Sequence, residues 1–270
     1  MQFQGSNKYI ADPSLLADVN AAIVLEKPLL VRGEPGTGKT MLAYAVAESL
    51  GKPLITWHVK SSTQAKEGLY TYDVVQRLND SRFGGGDVAD IASYIKLGPL
   101  GQAFTAEEQV VVLIDEIDKA DIEFPNDLLR ELDEMAFFVP ELDRTVRAKH
   151  RPIMLISSNA EKELPDAFLR RCLFHYIAFP SPERMQEIVK AHLGDIDKRL
   201  VDVAIDKFYQ LRKIDGLRKK PSSSELLDWL SVLIRMGANV EDISQRLPFL
   251  STLIKREQDI QLLQKYRRVH

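Results

Sequence analysis

The stretch Leu29-Leu30-Val31-Arg32-Gly33-Glu34-Pro35-Gly36-Thr37-Gly38-Lys39-Thr40-Met41-Leu42 decides the fold. Pro28 opens a short apolar run that ends at Gly33, and the chain then turns through Gly36 and Gly38. Beyond the turn, Leu42, Val46 and Leu50 recur at helical spacing and Gly51 stops the helix. A buried strand, a glycine-rich turn and a helix in that order open an α/β fold. From Gly33 to Thr40 the residues match G-x-x-x-x-G-K-[ST] at every fixed position. Glycine lets the backbone curl so that successive N–H groups point at an anion. The helix that follows turns its positive end to the same charge. Lys39 is placed to reach outer phosphates and the Thr40 hydroxyl to ligate Mg²⁺. A glycine-rich turn that merely precedes a helix is the plainer alternative, and the full match in its strand-to-helix context weighs against it. The expected nucleotide-binding residues are Gly33, Glu34, Pro35, Gly36, Thr37, Gly38, Lys39, Thr40 and Met41, with ATP and Mg²⁺ as ligands.

A phosphate loop needs a second sphere for its metal and a group that positions water. Val110–Ile114 is a continuous apolar run of the kind buried on both faces of a parallel sheet. It delivers Asp115 and Glu116 at its carboxyl end, where ligands collect on such sheets. Asp115 is expected to hold Mg²⁺ through its water shell, and Glu116 to act as general base on the attacking water. Alone, an acidic pair could simply lead into a helix. Beside the phosphate loop it favours hydrolysis over nucleotide storage.

The rest of the chain reads around these two motifs. Ser14–Glu26 and Asn126–Ala136 have helical spacing, and Leu54–Val59, Ile153–Ser157 and Phe174–Ile177 are strand-like. Phe137–His150 alternates apolar and polar residues about a turn near Asp143-Arg144 and reads as a hairpin. Between Ser61 and Gln109 lies a long mixed segment, with helical patterns near Val74–Leu78 and Val88–Lys96 on either side of Gly84-Gly85-Gly86. A plain strand-helix-strand unit needs only about 30 residues, so this segment carries an insertion. The expected fold is a three-layer α/β P-loop core with a five-stranded parallel sheet over residues 1–180. An all-helical domain over 181–270 follows, with helices near Glu183–Leu193, Leu200–Leu211, Ser224–Met236 and Thr252–Gln264.

Composition narrows the class. The 270 residues are 45% hydrophobic and 28% charged, ordinary for a globular protein. A formal net charge of −3 gives no global positive field to hold a polyanion. Cys172 is the single cysteine, so no internal disulfide forms, which fits a reducing compartment. The first residues lack the basic and apolar regions of a signal peptide, and no apolar run is long enough to span a bilayer, so a cytoplasmic location is expected. His58, His150, His175, His192 and His270 are scattered without zinc-site spacing. Cys172 reads as a buried small residue, Trp57 and Trp229 as core residues, and Arg267-Arg268 as a solvated chain end.

The segments GEPGTGKT, VVVLIDEIDKA, NDLLRELDEM and ISSNAEKELPDAFLRRC together resemble the AAA+ superfamily and, within it, the MoxR-type ATPases, over about residues 9–180. The resemblance implies a sensor-1 role for Asn159, which senses the γ-phosphate and orients water. It implies an arginine finger at Arg171, with Arg170 the second candidate, supplied in trans to a neighbour's nucleotide. That in turn implies a homo-oligomeric ring, typically a hexamer. The insertion, about 68–105, corresponds to the helix-2 insert, and the hairpin, about 137–151, to the pre-sensor-1 hairpin. By that analogy Tyr70 and Tyr72 are either pore aromatics or ordinary core residues. A chaperone-like remodelling role on a protein client, with a von Willebrand factor A domain partner, follows from the same resemblance. One departure is plain: the slot of the sensor-2 arginine, in KKPSSSELLDWL, holds Glu225 or a serine, with Arg218, Lys219 and Lys220 nearby.

Two other classes compete. A nucleic-acid motor would use the basic cluster Arg144, Arg147, Lys149 and Arg151, although nucleic acid is the less expected partner. A small-molecule phosphotransferase would share the phosphate loop but not the Asp115-Glu116 pair.

Overall fold

The computed structural model describes residues 2–6 and 9–269, with residues 265–269 described by backbone alone. The side chains of Arg267 and Arg268, and all of His270, therefore lie outside the described residues. The chain divides into two compact units: Met1–Ser6, Ala11–Glu34 and Lys39–Ile177 in one, and Asn7–Ile10, Pro35–Gly38 and Ala178–His270 in the other.

In the first unit, helix α1 (Pro13–Leu25) starts where the Asp12 carboxylate accepts a hydrogen bond from the Leu15 N–H at 2.9 Å. Strand β1 (Leu29–Gly33), helix α2 (Lys39–Leu50) and strand β2 (Leu54–His58) follow. The inserted segment holds α3 (Ala65–Leu69), β3 (Tyr70–Tyr72), α4 (Val74–Phe83), β4 (Ile95–Leu97) and α5 (Pro99–Thr105). Then come β5 (Val111–Asp115), α6 (Phe124–Asp127), α7 (Leu129–Glu134), β6 (Ala136–Val139), β7 (Arg144–Arg147), β8 (Ile153–Ser158), α8 (Asp166–Leu169) and β9 (Leu173–Ile177).

A five-stranded sheet runs in the order β2-β5-β8-β1-β9, with every pairing parallel. Every residue of β5 is buried, as its unbroken apolar run requires for a strand covered on both faces. Fully burying one such side chain contributes about 1.5–3 kcal/mol, so this interior strand holds firmly to β2 and β8 on either side. The chain crosses from β1 to β2 on one side of the sheet, and later reaches β9 on the other. Such a reversal of strand order opens a crevice at the carboxyl ends of the strands.

The insertion departs from the expected helices. Within Val88–Lys96 only Ile91–Tyr94 coils, as a short 3-10 turn, and Ile95–Leu97 is a strand. Its antiparallel partner is β3, with Tyr70 opposite Leu97. That pairing is remote in sequence, so local periodicity carries no sign of it. Helix α4 has no buried residue, and Val74, Val75, Leu78 and Phe83 are exposed. Tyr70 is a core residue, only 2% exposed, stacked on Phe137 with its hydroxyl donating to Glu141 at 2.8 Å. Burial pushes the Tyr70 phenol up to about 12. A pore-facing Tyr70 is thereby ruled out, and Tyr72 accepts a hydrogen bond from Arg77. The expected hairpin forms from β6 and β7, which pair antiparallel about Asp143, a residue at φ 48°. The expected Asn126–Ala136 helix is two short pieces, α6 and α7.

The second unit contains α9 (Pro182–Leu193), α10 (Lys198–Arg212), α11 (Ser223–Arg235), α12 (Val240–Arg246) and α13 (Glu257–Val269). Met185, Phe208, Leu226, Trp229 and Leu233 share its core, and the Trp229 indole donates to the Pro248 carbonyl at 2.7 Å. Helix α12 is too short for its periodicity to show in the sequence. A capping box starts α11: Ser222 N–H donates to Glu225 at 2.7 Å, and the Ser222 hydroxyl accepts from the Glu225 N–H. Lys219 donates to the same carboxylate at 2.9 Å. Glu225 thus serves as a cap and an ion-pair partner.

Candidate functional site at the carboxyl ends of β1, β5 and β8

The turn after β1 places Gly36 at φ 78° and Gly38 at φ 89°, conformations that favour residues without a Cβ. Lys39 begins α2 and is only 8% exposed, its ammonium donating to the carbonyls of Gly33 and Glu34 at 2.9 Å each. Burial pushes this ammonium below its ordinary value, against the attraction of Asp118, Asp115, Glu116 and Glu34. A cation held back over the loop's own carbonyls is available to an incoming anion.

Thr40 and Asp115 come together although they are 75 residues apart. The Thr40 hydroxyl donates to Asp115 Oδ1 at 3.1 Å. Ser157, on β8, donates to the same oxygen at 2.6 Å and accepts from the Glu116 N–H at 2.8 Å. His58 Nδ1 lies 3.3 Å from Asp115 Oδ2. A hydroxyl and a carboxylate, both hard oxygen donors, fit Mg²⁺, which keeps most of its waters and takes one or two protein oxygens.

Glu116 follows β5 in the left-handed region, at φ 60° and ψ 50°. A non-glycine residue there costs about 1–2 kcal/mol. The surroundings hold it: Ser157 fixes its N–H, Asn159 Nδ2 donates to Oε1 at 2.9 Å, and Lys119 donates to Oε2. The hydrogen bond to Glu116 in turn holds the Lys119 ammonium above its ordinary value. Asn159 and Glu116 are therefore direct partners, bringing together two of the residues the sequence singled out.

Asp118 was not legible as part of the site. It is 2% exposed, and its oxygens accept from the Glu161 N–H at 2.8 Å and the Asn159 N–H at 3.4 Å. Lys162 reaches back the other way, donating to the carbonyls of Ala120 at 2.7 Å and Lys119 at 3.3 Å. Two loops are thus stapled to each other: the one leaving β5 and the one leaving β8. Ala160, in the second loop, sits at φ 60° and donates to the Ser158 hydroxyl at 3.1 Å. In sequence Asp118 reads as one more acid entering a helix.

Arg170 and Arg171 lie elsewhere in this unit, between α8 and β9. Arg171 is held by Asp133 at 2.6 Å through Nε, and by the Ala167 carbonyl at 2.8 Å through Nη1. Arg170 is exposed, and its guanidinium has no hydrogen-bond or ion-pair partner among the described residues. Both line a cavity of about 290 Å³ together with Cys172, whose thiol burial pushes up to about 12 and makes unreactive. Met41 is 42% exposed on α2.

No helix among the described residues is long and apolar enough to cross a membrane. Comparison with known proteins agrees with the geometry. Residues 29–181 match the family described as ATPase family associated with various cellular activities (AAA). Midasin of Giardia intestinalis is 25% identical over 201 residues, covering 71% of this chain but 4% of that protein. The chain thus spans a small fraction of that relative's length. The family match, over more than half the residues, includes the loop at Gly33–Thr40, the Asp115-Glu116 pair, Asn159 and both arginines, and the chain belongs to the AAA family of ATPases.

Proposed function

We propose that this chain binds MgATP at Gly33–Thr40 and hydrolyses it as one subunit of a MoxR-type AAA+ ring. In this reading ATP loses its terminal phosphoryl group to water. The water oxygen forms the new bond to phosphorus as the bridging oxygen leaves with ADP, and the Glu116 carboxylate takes the proton of the attacking water. Asn159, donating to Glu116 on one side, orients that carboxylate and the water. Lys39 leaves the loop carbonyls for the β- and γ-phosphates. Thr40 and Asp115 would hold Mg²⁺, which supplies charge neutralisation on the phosphates. Arg171 or Arg170 would meet a neighbour's nucleotide. The observation that carries the reading is the meeting of the Thr40–Asp115 pair with the Glu116–Asn159 pair at the ends of adjacent strands.

The resemblance supports work on a protein client, with a von Willebrand factor A domain partner. The nucleic-acid reading is weaker. Within its basic cluster Lys149 is paired with Glu107, and Arg151 donates to the Glu26 carbonyl. A salt series on any nucleic-acid binding checks it, because phosphate contacts weaken steeply with salt.

The experiment is magnesium-dependent phosphate release measured over a wide range of protein concentration, with sizing at the lowest. Activity per chain that rises with concentration, and falls away with chelator, is the expected result. Activity unaffected by chelator would overturn the magnesium site, and per-chain activity that is constant down to a demonstrated monomer would overturn the ring.

A further inference from the structure

The amino ends of three strands of the main sheet converge on the cavity of about 290 Å³. Lys27 stands two residues before β1, Arg151 two before β8, and Arg170-Arg171 just before β9. Four cations thus line one small cleft against a single lining carboxylate, Asp133. This imbalance is unusual in a chain whose net charge is −3.

Their hydrogen-bonding capacity is only partly used. Arg171 spends Nε on Asp133 and Nη1 on Ala167, leaving Nη2. Arg151 spends Nε on the Glu26 carbonyl at 2.9 Å, leaving both terminal nitrogens, with the Glu26 carboxylate 4.0 Å away. Lys27 and Arg170 have no side-chain partner among the described residues. The Lys27 ammonium is near enough to Cys172 to oppose, electrostatically, the upward push of burial on the thiol. Leu129, Leu132 and Phe168 supply an apolar wall behind the charges. Spare guanidinium and ammonium donors around a partly apolar hollow recognise a compact, multiply charged oxyanion.

We propose that Lys27 and Arg151 complete, with Arg170 and Arg171, a binding cleft for a phosphoryl oxyanion. It rests on the hydrolytic ring reading only for its source: the oxyanion is the terminal phosphate of a nucleotide held by a neighbouring copy, or else a free polyphosphate. In the first case the second subunit contributes a cluster of cations, and Lys27 and Arg151 share in stabilising charge on the transferred group.

The test uses the double variant Lys27→Gln/Arg151→Gln, with Lys27→Gln alone as the variant least able to disturb folding, since Lys27 is exposed and has no side-chain partner among the described residues. Alone, the double variant should bind ATP as the wild type does and hydrolyse it about tenfold more slowly. Mixed in equal amounts with Glu116→Gln, which lacks the base but keeps the cleft, it should recover to about a quarter of wild-type activity by random pairing. A purely structural role would not be rescued in this way. In a second arm, inorganic pyrophosphate is titrated calorimetrically into Lys39→Ala protein, whose own loop is disabled. Binding there that is lost with Lys27→Gln, without rescue in the mixture, supports the cleft and makes the source free polyphosphate. No rescue and no such binding overturns the proposal. Should the wild type release no phosphate from ATP, the hydrolytic reading fails, and the pyrophosphate arm decides the cleft by itself.

Discussion

The two ends of the parallel sheet have opposite chemistry. At their carboxyl ends, β5 and β8 carry Asp115, Glu116, Ser157 and Asn159, and nearly every polar atom has a partner within the chain. At their amino ends, β1, β8 and β9 gather Lys27, Arg151, Arg170 and Arg171, with donors to spare. The first end is preorganised: a residue in the left-handed region is held by three side chains, so little must rearrange when a ligand arrives. The second is unfinished and awaits charge from outside. On the proposed reading, the part that performs chemistry and the part that completes a neighbour's site occupy opposite ends of one parallel sheet.

Substitutions can break this contrast, and the largest effect belongs to Lys39→Ala. Loss of that ammonium should weaken ATP binding by about 100-fold or more, read by calorimetry, because a charge-assisted contact to the phosphates disappears. Binding within a few-fold of wild type would mean that the loop's amides suffice.

Asp118→Asn comes next. The buried carboxylate accepts two N–H groups from the loop after β8 and is the foremost charge opposing the downward shift of Lys39. An amide there should cost about 1–3 kcal/mol in chemical denaturation. It should also lower kcat about tenfold with KM little changed, since Asn159 loses its anchor. An unchanged kcat would reduce the staple to a structural role.

Asp133→Asn sharpens the other end. It frees a largely exposed ion pair, so stability should shift by less than about 1 kcal/mol. If Asp133 positions Arg171, the ATPase should fall several-fold only at concentrations where the protein is oligomeric, and Asp133→Glu should restore it.

The smallest effect is expected far from both ends. Phe83 is 82% exposed on a helix with no buried residue, and Phe83→Ser should stay within about 0.5 kcal/mol of wild-type stability. A larger loss would show that α4 packs on something.

What was legible in the sequence was local. The loop at Gly33–Thr40 and the run ending at Asp115-Glu116 declare themselves because phosphate binding and burial on both faces constrain consecutive residues. The antiparallel pairing of Tyr70–Tyr72 with Ile95–Leu97 escaped, since neither strand is long enough to alternate visibly and each needs the other. Asp118 escaped for a related reason: its partners are the N–H groups of Asn159 and Glu161, more than forty residues away. The cationic cleft likewise joins Lys27, Arg151 and Arg170, which only strand order brings together. Glu225, which shared with the serines beside it the slot of a missing arginine, needed the capping box to show its use.

The central claim is that Glu116 acts on water and not on nucleotide binding, and Glu116→Gln tests it most directly. ATP affinity and phosphate release should be measured side by side on this variant and the wild type. The account predicts unchanged affinity within a few-fold and release at roughly 1% of wild type or less, because an amide cannot take the proton. Wild-type release, or a loss of affinity equal to that of Lys39→Ala, would contradict it.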